Sequence, residues 1–462
     1  MTFEQDRSQC LDKLVWATDR LQIETDNDQL KKIAELIVQT MTGPWRYFHT
    51  PEHIFEVGGS EDAVEVLSAL FHDLVYVQVD RSVNFNLTYY ITPFVKEVRG
   101  QLYIRDRSEL ERDLTLDMIM SVFGFSPEQA LSPMAGQNEF LSALVGAKVL
   151  EPFVPLRLIV QVVACIEATI PFRSKDSEGL TSCDRLYQRL LKTCQEFNID
   201  LREEEIRETV KKSVRLANRD VGSFANPSAA RFLDGTWSLL PETNHNLKES
   251  TSYTVHAYRT ALQKMEGFMH FLKPEAIFHQ FDNEPDQASF LSLIGRSAKN
   301  MEVGRLYLGC KIFTIAFLEA LSLRLGRDIP LSAMMGEMPS DEYPVSKLVD
   351  FLPPVSNPYP PKTAIESAVL DLLEKGRLKS SSYDLKNSPL ATFFAKSMGF
   401  DEVRYQRARA KEFFTDKISA EEFIAGCDRQ VTEGVTEGIL RLFDSRKAAL
   451  SGARKFVLKN AS

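Results

Sequence analysis

Apolar residues recur at intervals of three and four along most of the chain, a spacing that places them on one face of an α-helix. This pattern predicts helices over residues 29–42, 61–76, 108–122, 155–168, 184–198, 202–219, 252–272, 285–298, 301–326, 363–375, 401–414 and 419–444. The alternation typical of a strand is weak, and its best example is residues 94–104. The sequence therefore predicts an all-α fold.

Two breaks divide the helical pattern into domains. The clearer one is residues 352–362, where five prolines disfavour a helix and favour an extended linker. The other is residues 244–252. We therefore expect a first helical domain over 1–245, a helical extension over 246–352, a Pro-rich linker over 353–361 and a C-terminal helical segment over 362–462. That last segment shows amphipathic helices without a catalytic grouping, which favours a role as a lid, an oligomer contact or a docking site for a protein partner.

Composition and charge narrow the class of protein. Apolar residues make up 44% and charged residues 26% of the 462 residues, as in soluble globular proteins. The net charge of -9 argues against nucleic acid as the main partner. The N-terminus is polar and the most apolar windows are short or interrupted by charge, so neither a secretory signal nor a membrane span is expected. Six scattered cysteines without a Cys-x-x-Cys pair favour a cytoplasmic location.

Histidines are concentrated in one short window, which holds three of the seven in the chain. His49 and His53 are four residues apart and would share one face of a helix. His72 directly precedes Asp73 at the end of an apolar run. Imidazole nitrogens and a carboxylate that converge are what a first-row divalent metal requires. The alternative, ordinary polar residues on helix surfaces, is less favoured for this order of residue types.

Two segments carry a resemblance to a known family: Tyr-Phe-His-Thr-Pro-Glu-His at 47–53 and Ala-Leu-Phe-His-Asp at 69–73. They resemble the HD-domain metal-dependent phosphohydrolases, whose pattern is a histidine, then a His-Asp pair, then a distant aspartate. The variant is similar to the Tyr-His-x-x-x-His pattern of phosphodiesterase-like members. The resemblance covers at most residues 30–230, and it implies a helical HD-domain core.

The resemblance also implies roles for individual residues. His53, His72 and Asp73 would bind the metal, and His49 would lie beside the metal and protonate the leaving oxygen. This chain departs from the pattern in three places: one extra residue separates the tyrosine from His49, Tyr76 stands where a further histidine is common, and residues 77–80 lack the Glu-Asp pair of guanosine tetraphosphate hydrolases. These departures weaken both substrate assignments.

The distant aspartate that the resemblance requires has several candidates. Asp220 is favoured because it follows the strongly periodic segment 203–216 and precedes a stretch of small residues. The alternative for such an acid is a plain helix C-terminus on the surface. Asp184, Asp200 and Asp234 remain competitors.

A phosphate substrate needs cations nearby, and the guanidinium fork of arginine suits phosphate. Arg46 lies three residues before His49, and Arg219 precedes Asp220, so both are candidates for binding substrate. Arg173, Lys175 and Arg215 are better interpreted as surface cations. Glu167 interrupts the apolar run 158–168, and a carboxylate buried there needs a partner. A role near the metal or substrate and a structural hydrogen bond to a neighbouring helix are equally favoured for it.

Two imidazoles and two carboxylates give a divalent ion four ligands and leave room for water and a phosphate oxygen. The ion would be Mn, Fe, Zn, Ni, Co or Mg. We therefore expect a metal-dependent phosphohydrolase acting on a nucleotide or another small phosphate ester. The alternative is a non-catalytic regulatory protein that senses a nucleotide on an HD scaffold. A helical scaffold with incidental histidines is disfavoured by the presence of all four residues of the motif.

Overall fold

The computed structural model is helical almost throughout and confirms the all-α class. It describes residues 2–247, 253–326, 328–336 and 346–459, with side chains to residue 444. The chain divides into two compact units, Met1–Ala225 with Leu272–Ala298, and Asn226–Phe271 with Lys299–Ser462.

The first unit contains the predicted histidine motif. Its helices are α1 Phe3–Arg20, α2 Asn27–Met41, α3 Pro51–Gly58, α4 Ala63–His72, α5 Val77–Asp80, α6 Thr88–Ile91, α7 Leu114–Phe123, α8 Gln137–Leu150, α9 Leu156–Ala168, α10 Ser182–Glu196 and α11 Glu203–Asp220. The core lies around α9, which packs against α4, α8 and α11. Every residue of α4 is buried. The sequence predicted neither α1, α3 nor α8.

Close packing against α4 depends on a glycine. A Cβ added at Gly146 of α8 would lie 3.0 Å from Cγ of Phe71, which is fully buried in α4. Since interiors are packed without spare volume, only glycine lets the aromatic ring lie directly on the α8 backbone. This contact fixes the end of α4, where His72 and Asp73 are found.

The predicted strand at 94–104 is a short antiparallel hairpin rather than one strand. Strand β1 Val95–Val98 pairs with β2 Gln101–Ile104. The turn residues Arg99 and Gly100 both have positive φ, at 53° and 81°. Two positive φ values give the turn type whose twist matches a two-residue hairpin.

The second unit is also helical. Its helices are α12 Ala229–Thr243, α13 Val255–Phe271, the C-terminal part of α14 Gln287–Leu323, α15 Leu331–Met335, α16 Ala364–Lys375, α17 Pro389–Phe414, α18 Ala420–Ala425 and α19 Arg429–Lys459. Helix α17 contains a break at Gly399, where φ is 77°, and the predicted helix 401–414 begins just after it. The sequence did not predict α12, and the two helices predicted at 285–298 and 301–326 are the single helix α14.

The domain boundaries differ from those predicted. The first unit ends at Ala225 and not at residue 245, and the chain returns to it at Leu272–Ala298. A break in composition cannot reveal such a return, because the return is set by packing between distant segments. Of the predicted break at 244–252, residues 248–252 lie outside the described part of the chain.

The Pro-rich stretch 353–361 packs inside the second unit and is not a spacer between domains. The backbone N–H of Tyr359 donates to the carbonyl of Lys396 at 2.8 Å. The ring of Tyr359 lies against Gly399, and Pro353 lies against Gly434 of α19. Prolines prevent a helix here, as predicted, but extended chain can still cover neighbouring helices.

Helix α14 is long and apolar enough to cross a membrane by length and composition, with a mean hydropathy of 1.6 in its most apolar window. In the structure 83% of that window is buried within the protein. The core helix of a globular protein has the same character, so this feature is weak evidence for a membrane span.

Candidate metal centre

Three helix ends bring the four predicted ligands together. His53 lies in α3, His72 ends α4, Asp73 is the C-cap of α4, and Asp220 is the last residue of α11. One ligand atom from each side chain lies within 4.8 Å of all the others. The four residues are therefore close enough to share one ion.

The distances show a mixed nitrogen and oxygen cluster. The Nε2 atom of His53 lies 3.0 Å from Oδ1 of Asp220 and 3.4 Å from Oδ2 of Asp73. The Nε2 atom of His72 lies 3.0 Å from Oδ2 of Asp73 and 3.5 Å from Oδ1 of Asp220. All four contacts involve Nε2, so both imidazoles present the same nitrogen to the carboxylates.

The backbone fixes the orientation of the His72 ring. Its Nδ1–H donates to the carbonyl of Ala69 at 2.8 Å. A hydrogen bond from Nδ1 to a carbonyl is the usual way in which a metal-binding histidine keeps Nε2 free as the ligand. The preceding turn of α4 therefore already sets the tautomer that metal binding requires.

Two atoms of the cluster have unmet bonding capacity. Nε2 of His72 and Oδ2 of Asp73 are buried and lie 3.0 Å apart, close enough for an ion pair when His72 is protonated, but among the described residues neither atom has a hydrogen-bond partner. A buried polar group without a partner is costly, on the order of 1–3 kcal/mol, and calls for an explanation. A divalent ion would satisfy both atoms, and two imidazoles with two carboxylates form a suitable ligand set for it.

The carboxylates dominate the electrostatics of the cluster. Burial lowers the pKa of His53, but Asp220 and Asp73 more than offset this and raise it to about 9. The pKa of His72 is raised well above its ordinary value for the same reason. Burial raises the pKa of Asp220, but the two histidines outweigh this and lower it to about 2. Without a cation, the carboxylates hold protons on the imidazoles, and a bound metal ion would displace those protons.

His49 lies beside the cluster but not on the helix that carries His53. Pro51 is the first residue of α3, and Thr50 is the N-cap with extended backbone. Proline favours this position and disfavours helical backbone in the residue before it, so His49 falls outside the helix. The side chain of His49 is buried, and its ring centroid is 6.0 Å from that of His53. The rings of His49 and Tyr76 pack in a T-shaped arrangement with their centroids 4.2 Å apart.

Arg46 forms hydrogen bonds with the backbone next to Asp73, whereas the sequence suggested that it binds substrate. Its side chain is fully buried. It forms a forked pair with Asp80 at 3.1 and 2.7 Å, and donates to the carbonyls of Asp73 and Leu74 at 2.8 and 3.0 Å. The predicted helix 61–76 ends early, at His72, and these two carbonyls bond to Arg46. The guanidinium positions the turn that carries Asp73 and has no exposed surface for a phosphate.

Arg219 also binds within the protein. It donates to the carbonyl of Val57 at 2.6 Å and to Glu65 at 2.7 Å. Arg215 donates to the other oxygen of Glu65, also at 2.7 Å. One buried glutamate of α4 thus holds two arginines on successive turns of α11. These contacts set the position of Asp220, the residue after Arg219.

Glu167 has the structural partners that the sequence left open. Its buried carboxylate accepts from Arg173 at 2.6 Å and from Arg189 of α10 at 2.5 Å. Among the competing aspartates, the carboxylate of Asp184 caps its own helix and Asp200 is exposed. Asp234 belongs to the second unit, 3.6 Å from Arg377.

Glu139 lies near the cluster, and no sequence pattern pointed to it. Its Oε2 is buried and has no hydrogen-bond partner among the described residues. Burial, with a further contribution from the charges of Asp73 and Asp220, raises its pKa to about 8. A glutamate in this state is largely protonated at neutral pH and adds no third negative charge to the cluster. It lies on α8, a helix that is buried on nearly every side and so has little amphipathic pattern.

Comparisons of this chain with models of protein families, with curated proteins and with solved structures find no match.

Proposed function

We propose that this protein is a metal-dependent phosphohydrolase that acts on a nucleotide or another small phosphate ester. The observation that carries the proposal is the convergence of His53, His72, Asp73 and Asp220, with two buried ligand atoms lacking partners. The order of these residues along the chain is that of the HD-domain pattern. A divalent ion held there supplies a water of lowered pKa and offsets negative charge that builds on phosphorus.

His49 is the residue we assign to proton transfer. Its ring lies beside that of His53 and is held by edge contact with Tyr76. An imidazole in this position can donate a proton to the departing alkoxide oxygen, and such a general acid contributes about 10²- to 10⁴-fold to the rate. Arg46 and Arg219 serve as positioning residues in this proposal, because both are engaged by the chain around the ligands.

The test is a hydrolysis screen of the purified full chain. Phosphomonoesters, phosphodiesters and nucleotides are offered with Mn²⁺, Mg²⁺, Fe²⁺, Zn²⁺, Ni²⁺ and Co²⁺ in turn. We expect turnover of at least one substrate with at least one ion, and loss of that turnover in Asp73→Ala. Asp200→Ala is the matched control, since Asp200 is an exposed aspartate of the same unit and should leave turnover unchanged.

A second variant distinguishes proton transfer from substrate binding. His49→Ala should retain the metal and lose about 10²- to 10⁴-fold in kcat on alkyl phosphate esters. The loss should be much smaller with p-nitrophenyl esters, because nitrophenolate leaves without a proton. Equal losses on both substrates would contradict the assignment to His49. A metal-loaded wild-type protein that hydrolyses nothing but binds a nucleotide would overturn the enzymatic proposal in favour of the sensor.

A further inference from the structure

The first unit has a cleft of about 370 Å³ that shares no residue with the metal centre. It is formed by the segment before α10, the segment before α14 and the first turns of α14. Its lining residues are Arg173, Ser174, Lys175, Thr181, Ser182, Lys273, Glu275, Ala276, Phe278, His279, Gln280, Phe290 and Ile294. A volume of this size suits a small organic ligand.

One side of the cleft is positively charged, although the chain as a whole is negative. Lys175 and Lys273 are exposed, and within the described part of the chain neither makes an ion pair. Arg173 shares Glu167 with Arg189, so two guanidinium groups are offset by one carboxylate. Glu275 is the single acidic residue of the lining. Unpaired ammonium groups beside a concave surface attract an anion.

The floor of the cleft adds hydrogen-bonding groups that are held in place. His279 is buried, and the side-chain amide of Asn218 binds both its backbone N–H at 2.7 Å and its carbonyl at 2.9 Å. The hydroxyls of Ser174 and Ser182 line the same space, and Thr181, which also lines it, is engaged with Asp184 in the cap of α10. Hydroxyls next to lysines form a suitable environment for a phosphate group.

Apolar side chains also line the cleft. Phe290 and Ile294 from α14 are partly buried there, beside the buried Phe278. A lining that combines aromatic and cationic side chains suits a ligand that has both a flat ring and a phosphate. A bare inorganic anion would use the lysines alone, and an apolar molecule would leave the lysines without a partner.

We propose that this cleft is a second ligand site, which binds a mononucleotide or a similar phosphorylated aromatic molecule without a metal. The phosphate lies between Lys175 and Lys273, and the ring packs on Phe290. The proposal does not depend on the function assigned to the metal centre, because the two sites have no residue in common.

The experiment is calorimetric titration of the full chain with AMP, and separately with inorganic phosphate, in EDTA. It is repeated in the Asp73→Ala background so that the metal centre cannot contribute. We expect AMP to bind in both proteins. Reversing both charges with Lys175→Glu and Lys273→Glu should raise the Kd for AMP by about tenfold or more, since each removes a hydrogen bond to a charged group. Lys192→Glu is the matched control, an exposed lysine of α10 outside the lining.

The ring is tested with Phe290→Ala. This variant should raise the Kd for AMP and leave the weaker binding of inorganic phosphate unchanged. Each altered side chain is exposed or partly buried, and circular dichroism verifies that every variant folds. Absence of AMP binding in EDTA, or an unchanged Kd in the double lysine variant, would overturn the proposal. Failure of the hydrolysis screen has no bearing on either result.

Discussion

Asp384 in the second unit and Asp73 in the first are both largely enclosed carboxylates whose pKa is lowered, but their partners differ. Burial raises the pKa of Asp384, and Lys311 with Arg377 more than offsets this. Its Oδ2 accepts from Trp237 at 2.7 Å and from Tyr258 at 3.0 Å. The chain itself supplies permanent cations and donors for this carboxylate.

The cluster around Asp73 is not balanced in that way. Its close partners are His53 and His72, which are cations only while they hold a proton. In the metal-free protein the raised pKa values of His53 and His72 keep both imidazoles protonated, so protons that a metal ion would displace offset the two carboxylates. Within the described residues Oδ2 of Asp73 has no hydrogen-bond partner. The difference teaches how to distinguish a structural cluster from a binding site. The carboxylate of Asp384 receives its cations and donors from the chain, although Nε of Arg377 beside it has no hydrogen-bond partner within the described residues. The Asp73 cluster depends instead on protons that a metal ion can replace.

The largest effect is expected from Asp384→Ala. Removing this carboxylate leaves Lys311 without its ion-pair partner and leaves Arg377 with Asp234 at 3.6 Å, and breaking a buried ion pair costs about 3–5 kcal/mol. Hydrogen exchange of α13 should show this loss of stability whether or not metal is added. Asp371→Ala, which removes an exposed pair with Lys375, should leave the exchange of α13 nearly unchanged. Unchanged hydrogen exchange in Asp384→Ala would contradict the structural role assigned to Asp384.

The next effect concerns the metal. A divalent ion at 100 times its Kd stabilises the state that binds it by about 2.7 kcal/mol. We expect a corresponding rise of roughly 5–10 °C in the Tm of the first unit. Chelation should reverse this rise in Tm, Asp73→Ala should abolish the rise, and Asp200→Ala should show the same rise as the wild type. Elemental analysis should find bound metal in the wild-type protein and in Asp200→Ala, and should find none after chelation or in Asp73→Ala. A wild-type protein with no metal and no shift with any ion would contradict the assignment.

The buried imidazole of His279 tests how strongly burial shifts a pKa in this protein. His279 lacks a carboxylate partner within the described residues, and burial, with the nearby Arg173, lowers its pKa to about 4. Between pH 6.5 and 4 the unfolded chain takes up a proton that the folded chain does not, so stability falls as pH falls. The loss at pH 5 is about 2 kcal/mol. Thermal unfolding of the first unit between pH 7 and 5 measures it.

His279→Gln should remove this acid sensitivity, and the exposed His256→Gln should not. The contribution of His53 to stability depends on pH in the opposite direction. Because its pKa is raised to about 9 in the metal-free protein, its contribution is complete below pH 6.5 and is lost as pH rises through 9. An acid sensitivity that persists in His279→Gln would show that other groups dominate in this range.

The smallest effect is expected from Arg46→Lys. Lysine keeps the charge but cannot reach Asp80 and the carbonyls of Asp73 and Leu74 together. Loss of such a partner weakens metal binding about tenfold, or about 1.4 kcal/mol. Metal titration measures it, with the exposed Arg207→Lys of α11 as control. An unchanged metal affinity with a raised KM would favour the phosphate-binding role that the sequence first suggested.

The four residues of the cluster could be predicted to converge because three of them occur in two compact motifs and the fourth follows a strongly periodic helix. The partners of Arg46, Arg219 and Glu167 could not be found, because each is set by contacts between segments far apart in the chain. Residue type alone does not distinguish an arginine that binds a phosphate from one that holds a carbonyl.

The fold shows the same division. Helices with one apolar face, such as α2, α10 and α11, were predicted within a few residues. Helix α8 was not predicted, because it is buried on nearly all sides and shows little periodicity. Its residue Glu139 was missed with it. The return of Leu272–Ala298 to the first unit left no mark in composition.

The position of Asp220 on α11 has a consequence for synthesis of the chain. It follows His53 by 167 residues, so at 5–20 residues per second a ribosome makes it roughly 10–30 s later. During that interval the nascent chain has His53, His72 and Asp73 but cannot complete the four-ligand set. The first unit also waits for Leu272–Ala298, which is made after α12 and α13. At the proposed metal site, full retention of an ion would therefore mark a chain whose folding in this region has finished, because an incomplete chain lacks Asp220.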